Sequence, residues 1–96
     1  MSKMVDGAVE ALAARLGGER IAGSVRFDIA GEGVVRIDEA GVRADDSQAD
    51  CTISADAETF RGLLEGEVNP TGAFMSGRLR IEGDMGLAMK IASLLA

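Results

Sequence analysis

Residues 69–96, NPTGAFMSGRLRIEGDMGLAMKIASLLA, decide the fold of this chain. They predict a short helix, a strand and a closing helix. Asn69 suits the N-cap of the short helix, and Pro70 suits its first position, because that position needs no backbone N–H donor. Gly77 is expected to end the short helix, and Asp84 suits the N-cap of the closing one.

The closing helix is apolar on two sides. One stripe at helical spacing contains Leu87, Ala88, Ile91, Leu94 and Leu95. An adjacent stripe contains Met85, Met89 and Ala92. A helix with two apolar sides must cover two surfaces, and we expect one of them to be the sheet. The other is a second helix layer, another chain or an apolar ligand, and the function depends on which.

Hydrophobic periodicity predicts the elements upstream. A period of 3.6 residues predicts helices over residues 2–16 and 56–65. Alternation predicts strands over residues 24–30, 34–39, 42–45, 51–55 and 78–82. The element order is therefore α-β-β-β-β-α-α-β-α, and the first three strands form an antiparallel meander. We expect one α+β domain over residues 1–96, with a five-stranded, mainly antiparallel sheet covered on one face by helices.

The charge balance argues against some partners. The 96 residues include 16 acidic and 10 basic side chains, which gives a net charge of −6. Phosphate backbones and anionic membrane surfaces repel such a protein, so we expect no nucleic-acid partner. No apolar run approaches the length of a membrane span, and residues 1–18 lack a signal-peptide core. We therefore predict a cytoplasmic protein without stable membrane insertion.

The sequence offers little catalytic chemistry. It has no histidine, which excludes sites built on imidazole, and Cys51 is its single cysteine. No nearby cation would activate that thiol, so a small core residue is expected. The acidic loop at residues 45–50 lacks the central glycine and final glutamate of an EF-hand. We predict no catalytic residue, no metal, no cofactor and no enzymatic activity.

Several arginines are expected on the outward face of the sheet. These are Arg26, Arg36, Arg78 and Arg80. Arginine binds carboxylates bidentately, so an anion site is one interpretation of this face. The simpler interpretation is that this face is a solvated surface.

The expected core contains many small side chains, and five methionines add flexible ones. A sheet covered by such residues can leave a void, and an apolar void binds an apolar guest because water finds no partners there. The alternative is a filled core, since tight packing is usual in proteins.

The run from Phe27 to Leu95 resembles the sterol carrier protein type 2 family of lipid-transfer domains. That family typically ends in P-x-x-A-F-x-x-G-K-L-K-I-x-G-[DN]-M-x-L-A-x-K-L. Matching residues here are Pro70, Ala73, Phe74, Gly77, Leu79, Ile81, Gly83, Asp84, Met85, Leu87, Ala88, Lys90 and Ile91. Further matches are Asp50, Ile53, Phe60, Leu63, Leu64 and Gly66.

The resemblance implies a hydrophobic tunnel between the sheet and the helices. It implies a ligand such as a fatty acid, an acyl-CoA, an isoprenoid or a sterol-like lipid. The residues expected to line or gate the tunnel are Phe27, Ile37, Phe60, Leu64, Phe74, Met75, Leu79, Ile81, Met85, Leu87, Ala88, Ile91, Leu94 and Leu95. The function expected is non-enzymatic binding, and transfer, of that lipid, with opening of the closing helix admitting it.

Two alternatives stay open. In one, the outer stripe of the closing helix packs against a second copy or a larger partner, and the protein is an interaction module or a homodimer. In the other, the protein presents a lipid or quinone intermediate to an enzyme.

Overall fold

The computed structural model describes residues 3–19 and 21–95. The elements are α1 (Lys3–Leu16), β1 (Val25–Ile29), β2 (Gly33–Asp38), β3 (Gly41–Ala44), β4 (Cys51–Ala55), α2 (Ala57–Leu64), α3 (Pro70–Met75), β5 (Arg80–Gly83) and α4 (Met85–Leu95). Their order is the one the sequence predicts. The predicted start of the first helix at Ser2 lies outside the described residues.

The last strand begins later than the alternation predicts, at Arg80 rather than Arg78. The backbone N–H groups of Arg78 and Leu79 both donate to the carbonyl of Ala73, at 2.8 and 3.2 Å. These bonds close the C-terminal end of α3. The N–H groups of residues 78 and 79 are therefore unavailable for the sheet ladder.

The sheet is mixed, with strand order β3-β2-β1-β4-β5. The prediction of a mainly antiparallel sheet is confirmed for the pairs β1–β2, β2–β3 and β4–β5. The central pair β1–β4 is parallel, and Val25 lies opposite Cys51. The loop after β3 carries the chain back across the sheet, so β4 starts at the same end as β1. Where β4 begins beside β1, the N–H of Cys51 donates to the carbonyl of Ser24 at 3.1 Å.

One face of the sheet holds the core. Val25, Phe27 and Ile29 alternate inward from β1, as predicted, and all three are buried. The ring of Phe27 packs on that of Phe60 from α2, with centroids 5.2 Å apart and planes tilted by 55°, a favourable aromatic arrangement. The core also contains buried residues of α1, α3 and α4.

The opposite face is polar and carries ion pairs. Arg36 Nε lies 3.0 Å from Asp38, and Arg43 lies 2.8 Å from Asp38 and 3.3 Å from Asp45. Two arginines of this face are therefore already neutralised by neighbouring carboxylates. Among the described residues, no helix has the length and apolar character needed to span a bilayer.

Candidate functional site

An apolar pocket lies between the sheet and the last two helices. Its lining residues are Phe27, Ile53, Leu63, Pro70, Thr71, Phe74, Leu79, Ile81, Met85, Ala88, Met89, Ile91, Ala92 and Leu95. The lining contains one hydroxyl group, that of Thr71, and no charged side chain. A lining of this composition is chemically suited to hydrocarbon and offers nothing that would offset the burial of a charge.

The floor of the pocket is a row of side chains across three strands. Phe27 of β1 lies opposite Ile53 of β4, which lies opposite Ile81 of β5. Because side chains alternate along a strand, all three point to the core face. The parallel pairing of β1 with β4 is what brings these three residues into one row.

The wall is formed mainly by α4. Met85, Ala88, Ala92 and Leu95 recur at spacings of three and four, so they lie on the pocket side of the helix. The shorter α3 covers the other side through Pro70, Thr71 and Phe74. Both helices begin at side-chain caps: Gly72 N donates to Asn69 Oδ1 at 3.1 Å, and Leu87 N donates to Asp84 Oδ1 at 3.2 Å.

The pocket is small in this conformation. It encloses about 60 Å³ of space that the centre of a water molecule can reach. One such centre needs roughly 10–15 Å³, so the volume corresponds to a few water molecules. A long hydrocarbon chain therefore fits only if a wall of the pocket moves outward. The continuous tunnel that the resemblance implies stays a prediction.

The mouth of the pocket carries exposed apolar side chains. Among the described residues, the exposed large hydrophobics are Phe74, Met75, Met85 and Met89, with 41, 80, 45 and 66% of their surface accessible. Phe74, Met85 and Met89 also line the pocket, and Met75 follows Phe74 at the end of α3. We call these four residues the apolar rim. Single exposed hydrophobics are common on protein surfaces, but three of these four residues also line one pocket, so the exposed apolar surface is concentrated there.

Helix α4 is anchored at both ends. At its start, Asp84 N donates to the carbonyl of Asp50 at 2.9 Å. The Asp50 carboxylate in turn accepts bonds from the backbone N–H and the hydroxyl of Ser24, at 3.0 and 3.2 Å. At its end, the guanidinium of Arg15 donates to the carbonyl of Leu95. These bonds tie α4 to β1, β4 and α1.

Helix α3 is held less firmly. Its buried residues are Pro70 and Ala73, whereas Phe74 and Met75 are exposed. Arg78, just after the helix, donates to the hydroxyl of Thr59 at 3.2 Å. With only six residues, fewer than two turns, and few buried apolar groups, α3 is the weaker wall of the pocket.

The structure places eight of the fourteen predicted lining residues around the pocket. They are Phe27, Phe74, Leu79, Ile81, Met85, Ala88, Ile91 and Leu95. Their role in ligand binding stays a prediction, which the pocket geometry makes testable residue by residue.

The other six predicted residues lie away from the pocket lining. Ile37 is buried on β2, on the far side of β1 from the pocket, and Phe60 is buried beneath Phe27. Leu64 lines a groove between α1 and α2. The remaining three are Met75, which is exposed, and Leu87 and Leu94, which pack against the core from α4.

Six lining residues were not predicted. They are Ile53, Leu63, Pro70, Thr71, Met89 and Ala92. Met89 and Ala92 belong to the second apolar stripe of α4, together with Met85. Their place on this stripe is the sequence signal that could have predicted them as lining residues. Strand alternation pointed Ile53 inward, but only the strand order places it beside Phe27.

The polar groups outside the pocket have structural roles. Burial, together with the carboxylate of Asp84, raises the pKa of the Cys51 thiol, so this cysteine has no reactive thiolate near neutral pH. The guanidinium groups of Arg43 and Arg36 and the backbone N–H of Ala40 hold the pKa of Asp38 well below its usual range. The described residues contain no cluster of three or more acids or thiols that could hold a metal ion.

Comparison with known proteins places this pocket in a family context. A family-wide sequence model, described as the SCP-2 sterol transfer family, matches residues 6–96. Hydroxysteroid dehydrogenase-like protein 2 of Danio rerio is 42% identical over 82 residues, which cover 77% of this chain and 20% of that protein. Sterol carrier protein 2 of Homo sapiens is 49% identical over 49 residues, covering 51% of this chain and 9% of that protein. The chain thus spans at most about a fifth of the length of these relatives.

Solved structures share the fold. The crystal structure of sterol carrier protein 2 like 2 from Aedes aegypti superposes with a TM-score of 0.78 at 20% identity and covers 94% of both chains. The solution structure of sterol carrier protein 2 from the same organism, in complex with the C16 fatty acid palmitate, has a TM-score of 0.77 at 17% identity. That comparison covers 100% of this chain and 97% of the other.

Proposed function

The chain belongs to the SCP-2 sterol transfer family, and from this premise we propose that it binds one hydrocarbon chain of a lipid in the pocket between the sheet and helices α3 and α4. The composition of the lining is the observation that carries the proposal. Thirteen of the fourteen lining residues are apolar, and Thr71 supplies the only hydroxyl. A buried methylene group gains about 0.8 kcal/mol, so a chain of several methylenes binds without any polar contact.

The absence of charge in the lining restricts the orientation of the ligand. A carboxylate or phosphate head group would lose its hydration in the pocket without gaining a partner there. We therefore propose that the hydrocarbon end enters the pocket and the polar end stays at the rim. Fatty acids, acyl-CoA, isoprenoids and sterol-like lipids all have such an apolar part, and the Aedes aegypti complex with palmitate is one related example.

We propose that the chain itself binds or transfers its lipid without catalysing a reaction on it. The lining side chains are apolar apart from Thr71, and the buried Cys51 thiol has a raised pKa. Nucleophilic catalysis needs an activated group beside the substrate. Incubation of the purified chain with a radiolabelled fatty acid or sterol, followed by chromatography, tests this: recovery of a modified lipid would contradict it.

A cytoplasmic location is part of the same proposal. It is supported by Cys51, a free and buried cysteine that suits a reducing compartment. Fractionation of cells that produce the protein would test the location directly.

The binding proposal is tested by filling the pocket. We expect Ala92→Phe to reduce the affinity for a fluorescent long-chain fatty acid at least tenfold, because the ring would occupy space that the hydrocarbon needs. Ala92 is half-buried on α4, so the helix can accept the larger side chain. Titration of the fatty acid, followed by its fluorescence, measures the affinity.

Ala14→Phe is the matched control. Ala14 is exposed on α1, away from the pocket, and should tolerate the same substitution with unchanged binding. A second variant, Met85→Asp, places a charge in the lining and should also weaken binding. Equal affinity in the original protein, Ala92→Phe and Met85→Asp would place the ligand elsewhere.

A further inference from the structure

Thr71 is the one polar side chain in the lining of the pocket. It follows Pro70 in the first turn of α3 and is exposed, so it lies at the pocket mouth rather than at the floor. Within the part of the chain that the structure describes, its hydroxyl has no hydrogen-bond partner. Thr59, by contrast, is buried, and its hydroxyl accepts a bond from Arg78 at 3.2 Å. The Thr71 hydroxyl is therefore free to bond a group at the mouth of the pocket.

The cations of the chain lie elsewhere. No lysine or arginine of the described residues belongs to the lining. Arg78 and Arg80 line a polar cleft with two aspartates on the other side of the sheet, and a further pair lines the groove between α1 and α2. The guanidinium of Arg15 donates to the carbonyl of Leu95. The arginines of β1, β2 and β3 project from the outward sheet face, so Lys90 of α4 is the described cation left to consider.

The apolar rim offers an ionised head group no partner. Asp84, which precedes Met85, is itself an anion, and Lys90 follows Met89. Successive residues of a helix point about 100° apart, so Lys90 is directed away from Met89 and lies outside the lining. The whole chain has a net charge of −6. A carboxylate or phosphate at the mouth therefore meets a negative field and exposed hydrocarbon, with no cation in the lining.

We propose that the ligand of this pocket has an uncharged polar end to which the Thr71 hydroxyl hydrogen-bonds, so that Thr71 is a specificity-determining residue. The ligand class is then a neutral lipid with an alcohol, ester or ketone oxygen, in preference to an ionised fatty acid or an acyl-CoA. This inference rests on the proposed function, because it assigns the polar end of the lipid whose hydrocarbon end enters the pocket. A few placed polar groups in an apolar lining are what orient a ligand and select it.

The chemistry of one hydroxyl explains the preference. It donates one hydrogen bond and accepts others, so it pairs with an alcohol, an ester or a ketone. A plain hydrocarbon leaves the hydroxyl hydrated and gains nothing from it. An ionised carboxylate accepts the same bond, but it gives up water at the apolar rim that no second donor of the lining replaces.

Thr71→Val removes the hydroxyl and keeps a side chain of similar shape. We expect its affinity for decan-1-ol to fall at least fivefold and its affinity for 1-chlorodecane, which has the same chain without a hydroxyl or carbonyl group, to stay unchanged. Thr71→Ser, which restores a hydroxyl, should bind decan-1-ol as the original protein does. Displacement of a pyrene-labelled hydrocarbon measures the affinities. All three proteins should melt at the same temperature, because residue 71 is exposed.

Decanoate tests the charge of the polar end. At neutral pH the original protein should bind it at least tenfold more weakly than decan-1-ol. Lys90→Gln should leave both affinities unchanged, because Lys90 lies outside the lining. Decanoate that binds as tightly as decan-1-ol, and that loses affinity in Lys90→Gln, would place a cation at the mouth and overturn the neutral class.

The remaining outcomes separate this inference from the function on which it rests. Equal affinity of Thr71→Val and the original protein for decan-1-ol would overturn the role of Thr71. An equal loss of affinity for decan-1-ol and 1-chlorodecane would also overturn it, since Thr71 would then act by packing alone. In both cases the binding of 1-chlorodecane by the original protein would still support a hydrocarbon site. Failure of the original protein to bind any of the three ligands would overturn the proposed function itself.

Discussion

At Gly83 the backbone passes close to the backbone of Asp50. A Cβ atom at this position would lie 2.3 Å from the carbonyl oxygen of Asp50, and the residue has a φ of +96°. Only glycine avoids both the contact and the backbone strain. The same Asp50 carbonyl accepts the N–H of Asp84, so the start of α4 depends on this close approach.

We expect Gly83→Ala to lower the free energy of unfolding by about 3 kcal/mol, since strain of roughly 1–3 kcal/mol adds to a clash with rigid backbone. Urea denaturation followed by circular dichroism measures the loss. Gly77→Ala is the matched control: Gly77 has a φ of +82° but no atom within 4 Å of its added Cβ. Gly77→Ala should lower the free energy of unfolding by the backbone strain alone, about 1 kcal/mol. Equal losses in the two variants would show that the approach to Asp50 is unimportant.

Individual lining residues show where sequence reasoning stops. The alternation along β2 and β4 correctly turned both Ile37 and Ile53 towards the core. Alternation carries no information on which strands are neighbours, so the prediction chose Ile37, although only Ile53 lies in the pocket. Pro70 and Thr71 were missed for a related reason: a six-residue helix is too short for its period to define the face that turns inward.

At the scale of elements, the two helices that enclose the pocket differ in how they are held. Helix α4 has buried Ala88, Ile91 and Leu95 and bonds at both ends. Helix α3 has six residues, fewer than two turns, and two of them are buried. The apolar stripes of the closing helix predict that this helix opens for the ligand, whereas these contacts favour α3 as the wall that moves.

We expect the backbone amides of α3 to exchange with deuterium faster than those in the middle of α4, because local opening of α3 exposes less apolar surface. Hydrogen exchange followed by mass spectrometry, with and without a saturating fatty acid, measures this. The fatty acid should slow exchange in α3 more than in α4. Faster exchange in α4 than in α3, slowed by the ligand, would instead indicate that the closing helix opens to admit the ligand.

At the scale of the whole molecule, carboxylates on the polar sheet face and at a helix cap make stability depend on pH. Hydrogen bonds and ion pairs with Arg43 and Arg36 lower the pKa of Asp38. Bonds from Ser47 lower the pKa of Asp45, and bonds from Thr59 lower that of Asp56. Because the folded pKa values lie below the unfolded value of about 3.9, this stabilisation is complete above that pH and is lost as the pH falls further.

We therefore expect the urea midpoint to be constant from neutral pH to about pH 5 and to fall progressively below pH 4. Asp38→Asn should have a lower midpoint at neutral pH and a shallower fall in acid, because the substituted side chain has no proton to gain. Glu39→Gln, an exposed neighbour, is the control and should retain the steep fall. A midpoint that rises on acidification would contradict this assignment.

The overall architecture was predictable because its signals are local. Helix caps at Asn69 and Asp84 and alternating hydrophobics along each strand fixed the element order and the α+β class. The parallel pair β1–β4 was not predictable in the same way, because it joins Val25 to Cys51 across the meander between them. The volume of the pocket depends on side-chain packing in three dimensions, which periodicity does not describe.

That central parallel pair has a consequence for the way the chain acquires its structure. β1 can pair with β2 as soon as the first hairpin forms, but its other edge has no partner until β4 is available, 26 positions after Val25. Pairing between segments this distant in sequence forms slowly. Until it forms, the unpaired edge of β1 can pair with a strand of another chain. During synthesis, β1 and β4 can pair fully only after the 26 residues from the end of β1 at Ile29 to the end of β4 at Ala55, about a quarter of the 96-residue chain, have been made. A variant that delays formation of β4 would be expected to aggregate before the pocket exists.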